Sequence, residues 1–278
     1  MKIVSKRHLM NKTILITGAS SGIGKQSAIY LSDLGYKVYA ASRTPQKLDH
    51  IKSKNLIPIK LDITNQKDIN EQISKLHHID ILINNAGYGL VSTLEDVSEE
   101  EMFNQYNINV FGVIRVTKAV IPKMREQNAG MVINISSFLG KIGLPLLTLY
   151  NSSKYALEGI TDSLRYELAP FNIRVHSIMP GFFDTNFARD NLVVNDKTFD
   201  ENSPYCDTVS TLAPTILDQI RCGNSPKEVA ELIVEIINDE DFKARVTAGD
   251  KAKKFIPMKK ELSDEDFERR VREYYGLG

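Results

Sequence analysis

Short β-branched apolar runs alternate along this chain with longer stretches whose apolar residues recur every three or four positions. Residues 13–16, 37–40, 56–59, 79–83, 131–135 and 175–178 read as strands, with 246–248 as a candidate last strand. Continuous apolar character marks strands covered on both faces, and helices between such strands make the sheet parallel. Right-handed crossovers then place helices on both sides of one sheet, which predicts an α/β fold of three layers built on a doubly wound parallel sheet. Residues 99–123 carry Met102, Phe103, Tyr106, Val110, Val113 and Val116 at helical spacing, as one long helix or two in sequence. A second long helix is predicted over 149–168, before Pro170, and a short amphipathic one over 263–275. Residues 187–224 are less regular, carry Pro204 and Pro214, and read as an inserted helical or loop element.

The length of 278 residues fits one large domain with additions. Its expected parts are a core over 12–185, a substrate lid over 186–226 and a tail over 263–278. An apolar fraction of 42% allows a sizeable core. The 35 basic and 35 acidic residues cancel, which argues against a nucleic-acid partner. Lys251, Lys253, Lys254, Lys259 and Lys260 do cluster, but Glu261, Asp264, Glu265 and Asp266 follow at once, as on a solvated surface. Cys206 and Cys222 give neither a disulfide framework nor a metal pattern. His8, His50, His77, His78 and His176 lack ligand spacing, so no metal is expected. Without a run of about 18 apolar residues no membrane span is expected. Residues 1–9 lack the apolar run of a secretory signal and read as an extension or an upstream start; the two cysteines, too few for a disulfide framework, fit a reducing cytoplasm as the expected location.

Thr17-Gly18-Ala19-Ser20-Ser21-Gly22-Ile23-Gly24 follows the first strand and opens a helical pattern. Glycines there let the backbone turn tightly and let a pyrophosphate approach the N–H groups of a helix start. Tyr150 and Lys154 are four apart on a helical pattern, hence on one face. An ammonium beside a phenol is expected to lower its pKa toward the working range of a general acid or base. Ser137 ends a strand thirteen residues before Tyr150, at the sheet edge where open α/β folds bind ligands, with Ser136 as its competitor.

Taken in order, Thr17-Gly18-x-x-x-Gly22-x-Gly24, Asn84-Asn85-Ala86-Gly87, Ser137, Tyr150-x-x-x-Lys154 and Pro180-Gly181 resemble the short-chain dehydrogenase/reductase family, compact single-domain branch. The resemblance runs from about Lys12 to Thr185 and implies a Rossmann-like fold. Around Tyr88, Asn109-Val110-Phe111-Gly112 and Tyr155-Ala156-Leu157-Glu158-Gly159 the wording is similar to hydroxysteroid and retinol dehydrogenases.

The resemblance implies that Tyr150 exchanges a proton with the substrate oxygen, which Ser137 also hydrogen-bonds, while Lys154 binds the nicotinamide ribose. It further implies that Asn109, with Asn107 as its alternative, holds a water that links Lys154 to solvent. Cofactor contacts are expected from Gly18, Ser20, Ser21, Gly22, Ile23, Gly24, Asn85 and Ala86. Asp62 and Ile63 resemble the adenine-binding pair, although Asp62 could instead cap the next helix. Pro180, Gly181, Phe183 and Thr185 resemble the carboxamide-binding segment, although the Phe182 and Phe183 rings could instead line the substrate pocket.

An NAD site usually carries an acid at the end of its second strand. Here Ser42-Arg43-Thr44 offers no carboxylate, and Arg43 can pair with a 2′-phosphate, so NADP(H) is preferred and NAD(H) stays open if Arg43 only stacks or faces solvent. Reduction is then the expected direction. The expected activity interconverts an apolar alcohol with its ketone or aldehyde, past Tyr88, Phe138, Leu139, Leu144, Leu147, Phe182 and Phe187. The alternative is an NADP(H)-sensing regulator without turnover, which has no need of Tyr150 or Lys154. The resemblance implies pairing of the two long helices across a twofold axis, so a homodimer or homotetramer is expected.

Overall fold

The computed structural model describes residues 12–185 and 191–277. Seven strands form the main sheet: β1 (Thr13–Thr17), β2 (Lys37–Ser42), β3 (Leu56–Lys60), β4 (Ile81–Asn84), β6 (Gly130–Ile135), β7 (Ile173–Pro180) and β9 (Arg245–Ala248). They run in the order β3-β2-β1-β4-β6-β7-β9, and every pairing is parallel. Two strands absent from the sequence reading, β5 (Gly89–Val91) and β8 (Leu192–Val194), pair with each other outside this sheet.

Side chains on the central strands alternate between two apolar layers. Ile14, Ile16, Ile81, Ile83 and Ile133 face Ala28 and Leu31 of α1 (Gly22–Asp33) and Val229 and Ile233 of α7 (Lys227–Asn238). Leu15, Leu82 and Val132 face Ile69 and Ile73 of α2 (Gln66–Ser74) and Val116 and Val120 of α4 (Val113–Glu126). Leu168, at the end of α5 (Thr148–Leu168), closes the second layer. Burying each such side chain contributes about 1.5–3 kcal/mol, which explains why these strands show unbroken apolar runs instead of alternation.

The 99–123 reading resolves into one continuous helical run. α3 (Glu99–Tyr106) starts at a capping box between Ser98 and Glu101, a π segment spans Asn107–Gly112, and α4 follows without a break. A third apolar cluster lies beyond the sheet edge. There Phe138, Leu144 and Leu147 meet Leu212 of α6 (Cys206–Arg221), Phe255 of α8 (Asp250–Glu261), and Phe267 and Val271 of α9 (Asp264–Tyr275). The lysine cluster is thus partly helical core: Phe255 and Ile256 are buried between lysines, and Lys253 and Lys259 pair with Glu228 and Asp264. Among the described residues no helix is long and apolar enough to cross a membrane.

Candidate active site

The connections reverse direction between β1 and β4, and at such a switch point the strand ends leave a crevice. A cavity of about 1080 Å³ occupies that edge, bordered by Gly18, Ser20, Ser21, Gly22 and Ile23. Gly18 has φ +66°, and a side chain on it would come within 2.7 Å of the Ala86 Cα. On Gly24 a side chain would come within 2.3 Å of the Asn85 amide. These two glycines therefore let the turn close onto the loop after β4. Asn85 Nδ2 donates to the Thr17 and Gly18 carbonyls (3.0 and 3.1 Å), while Thr17 Oγ1 accepts from the Asn85 and Ala86 N–H groups. Ser21 caps α1 without a side-chain bond to its N–H groups, so they stay available to an anion.

Two expectations change here. Gly24 is buried and does not border the cavity; it makes room for Asn85. Asn85 does border the cavity with Ala86, but its amide hydrogens serve the glycine turn, so it acts first as a clamp. Its neighbour Asn84 supports the sheet, donating to Thr117 on α4 and to Asn134 on β6, which in turn donates to Thr161 on α5.

Arg43 stands exposed just past β2 at the far arm of the cavity. Lys47, missed in the sequence reading, borders the same arm from the 3-10 turn Pro45–Leu48; its signal was its place four residues after Arg43, beyond Pro45. Asp62 and Ile63 line this arm too. Asp62 Oδ1 accepts from Thr64, and α2 is capped by Asn65, which rules out the capping role considered for Asp62.

Ser137 follows β6 and caps a short 3-10 turn, Phe138–Gly140, its Oγ accepting from the Leu139 N–H (3.1 Å). Tyr150 and Lys154 come from the first two turns of α5, and all three residues border the cavity. Ser136 lies there as well, its buried Oγ without a partner among the described residues. Lys154 Nζ donates to the Ile135 carbonyl (3.0 Å) and lies 5.8 Å from the Tyr150 ring centre. Burial pulls the Lys154 ammonium down to about 8, with Glu158 opposing that shift. Tyr150 departs from expectation: burial pushes its phenol up to about 12, opposed by its hydrogen bond with Ser137. Ser137 is the neighbour that opposes the shift, while the Lys154 ammonium donates to the Ile135 carbonyl. The phenol therefore stays protonated at neutral pH, as a proton donor requires.

Asn109 sits in the π segment, 1% exposed and off the cavity wall. It accepts from the Tyr88 N–H and donates to the Tyr88 carbonyl and Ser153 Oγ, fixing the loop after β4 against α5. Asn107 instead accepts from Arg115.

Pro180, Gly181, Phe183 and Thr185 border the cavity at the end of β7. The Phe183 ring turns into the core beside Gly249, whereas the Phe182 ring packs edge-on against Phe138 at 5.4 Å. Of the two rings considered for the substrate side, Phe182 alone takes that place. Tyr88, Phe138, Leu139 and Leu147 line this arm; Leu144 is buried in the third cluster, off the wall, and Phe187 lies outside the described residues. The sequence reading missed Leu192, Val193 and Val194 of β8 and Ile216 and Leu217 of α6, which complete an apolar wall.

Lys154→Met is expected to stabilise the protein at pH 7. A lysine with an ordinary value of 10.5 that titrates near 8 in the fold is bound more tightly to its proton by the unfolded chain. The penalty is full below about pH 8 and fades as pH rises toward 10.5. Removing it should add about 1–3 kcal/mol at pH 7 and almost nothing at pH 10.5. Urea unfolding at the two pH values checks this; equal gains at both would contradict it.

Three comparisons show what this chain is similar to. The family model for short chain dehydrogenase matches residues 12–193. The 3-ketodihydrosphingosine reductase of Bacteroides thetaiotaomicron is 36% identical over 272 residues, covering 95% of this chain and 98% of that protein. Among solved structures, a short-chain dehydrogenase from Streptomyces avermitilis has a TM-score of 0.82 at 30% identity, covering 96% of this chain and 98% of that one. ElxO with NADP bound has a TM-score of 0.66 at 26% identity, over 85% and 96% of the two chains.

Proposed function

Because the chain belongs to the short-chain dehydrogenase family of oxidoreductases, we propose that it reduces a ketone or aldehyde carried on a largely apolar molecule, with NADPH as the hydride donor. The observation that carries this reading is the meeting of Ser137, Tyr150 and Lys154 on one cavity whose other arm holds the glycine turn and two cations.

The residues present fit a dinucleotide. Gly18 and Gly22 leave a cradle at the open start of α1, and Arg43 with Lys47 supplies positive charge where a 2′-phosphate would lie. Asp62 and Ile63 would flank the adenine, while Pro180, Gly181, the Phe183 backbone and Thr185 would hold the carboxamide. When bound, NADPH supplies the hydride that reduces the carbonyl carbon. Tyr150 then gives its phenolic proton to the carbonyl oxygen, and Ser137 holds that oxygen by a hydrogen bond. Lys154 holds the ribose and stabilises the phenolate left on Tyr150. Asn109 keeps the Tyr88 loop and α5 in register, so that these groups converge.

The apolar wall from β8, α6 and Phe182 supports a substrate with a long hydrocarbon part, and the relative named for 3-ketodihydrosphingosine supports a keto group on such a chain. The segment 186–226 acts as a lid in this reading. Residues 186–190 lie outside the described part, but among the described strands β8 pairs with β5 alone, outside the main sheet, and α6 presents Ile216 and Leu217 to the cavity. Exposed Phe103, Phe111, Ile114 and Tyr166 support self-association through the two long helices.

Fluorescence titration with NADPH and NADH, followed by NADPH oxidation with 3-ketodihydrosphingosine, tests the reading. Preferential NADPH binding and ketone-dependent oxidation are expected. Failure to bind either nucleotide would overturn it.

A further inference from the structure

One turn along α5 from Lys154, and off the cavity wall, lies a charge cluster that the proposed chemistry does not use. Glu158 is one turn further along α5, and its carboxylate is 2% exposed. Its Oε1 accepts from Ser177 Oγ on β7, and its Oε2 pairs with Arg245 Nε on β9 at 2.5 Å. Lys141, which follows the Ser137 turn, reaches the same Oε2 at 3.8 Å. Arg245 also donates to the Glu158 carbonyl and pairs with Asp162. Within that turn, a side chain on Gly140 would come within 2.9 Å of the Lys154 carbonyl and 3.1 Å of Glu158 Cγ, so the turn bearing Ser137 lies directly on this part of α5.

One buried carboxylate therefore joins four elements: the helix carrying Tyr150 and Lys154, the turn carrying Ser137, β7 and the edge strand β9. A buried ion pair is weak evidence for stability, since desolvation offsets much of its attraction. The siting of this one, a single helical turn from a buried lysine, points to a local electrostatic purpose. Tyr150 and Glu158, on its own helix, are the titratable groups that act on Lys154, while Lys141 from the turn and Arg245 from β9 stand against Glu158, with Asp162 beyond them on Arg245.

We propose that Glu158 is a positioning residue: its carboxylate is the counter-charge that keeps the Lys154 ammonium protonated, while Ser177, Arg245 and Lys141 lock that carboxylate between the Ser137 turn and α5. This inference rests on the reading of Tyr150 and Lys154 as the proton-transfer pair. Replacing Glu158 by Gln keeps the shape and an acceptor for Ser177, but it removes the buried anion and leaves Lys141 without this partner and Arg245 with Asp162 alone. Both changes disfavour the ammonium. Replacing Arg245 by Gln does the reverse, because it removes a cation that partly neutralises Glu158.

The first readout needs no substrate. The pH at which Lys154 titrates in the fold is read from the stability difference between the parent and Lys154→Met, measured by urea unfolding across pH 6 to 10.5, a range that brackets the expected value near 8. In a Glu158→Gln background the midpoint should fall by about one pH unit or more. In an Arg245→Gln background it should rise, and Glu158→Asp should bring it back toward the parent. The alkaline fall of the ketone-reduction rate should move with these midpoints. An unchanged midpoint in Glu158→Gln would overturn the proposal, as would a loss of rate uniform across pH. If Glu158→Gln does not fold, the Arg245→Gln midpoint decides: a rise supports the proposal, and no change overturns it. Tyr150→Phe separates the two readings. Full turnover in that variant rejects the proton-transfer pair whatever the midpoints show, whereas a dead Tyr150→Phe with immobile midpoints rejects the role of Glu158 alone.

Discussion

Tyr150→Phe is expected to lower the rate of ketone reduction by about 10³-fold, within the range that a positioned general acid contributes, while NADPH affinity changes by less than about twofold. The substitution removes one oxygen and keeps the ring, so packing at the head of α5 is preserved. What disappears is the one group on the cavity wall that combines a proton held firmly at neutral pH with a hydrogen bond to Ser137. Burial pushes that phenol up to about 12, which makes it a reluctant acid until negative charge develops on the substrate oxygen. The neighbouring ammonium then matters most, since it favours the phenolate as the proton leaves. Single-turnover rates with saturating NADPH, set beside fluorescence-derived affinities, separate the effects. A variant within tenfold of the parent rate would mean that another group, or water, supplies the proton.

The second large effect is expected at the other arm of the cavity. Arg43→Ala combined with Lys47→Ala should weaken NADPH binding about 100-fold and leave NADH binding within about threefold. Hydrogen bonds to charged groups contribute about 1.5–3 kcal/mol each. Both side chains are exposed, so solvent screening places each near the bottom of that range. The loss should shrink as salt is raised. Parallel weakening of both nucleotides would mean that the two cations serve the adenine or the pyrophosphate instead of a 2′-phosphate.

The main sheet could be read from the sequence because its strands are buried on both faces and therefore carry unbroken apolar runs. β5 and β8 could not, since three residues are too few for any period and neither joins the main sheet. α8 was hidden by composition: of its twelve residues only Ala252, Phe255 and Ile256 are buried, among lysines and around an internal proline. The π segment left no trace either, because Val110 and Val113 satisfy ordinary helical spacing. At the site, glycine spacing and the register from Ser137 to Lys154 named groups that the fold brings to one cavity. The Tyr150 titration was misjudged because it depends on where the Lys154 ammonium points, which spacing on one helix face does not determine. Gly24 was placed at the ligand because its motif does not distinguish a glycine that borders a cavity from one that makes room beneath it.

The three apolar clusters carry a consequence for how this protein changes under selection. In the proposed reading, walls of the nucleotide arm stand on the two clusters against the sheet, whereas most walls of the substrate arm stand on the third, to which α6, α8 and α9 contribute. Mutations far enough apart to share no neighbours act nearly independently. Residues 206–221 and 264–275 can therefore drift, and with them the compounds accepted, while the nucleotide grip is left intact; α8 is different, because its start packs on Gly181. A mutant library confined to those stretches is where new substrate preferences should be found at the smallest loss of folded, nucleotide-binding clones.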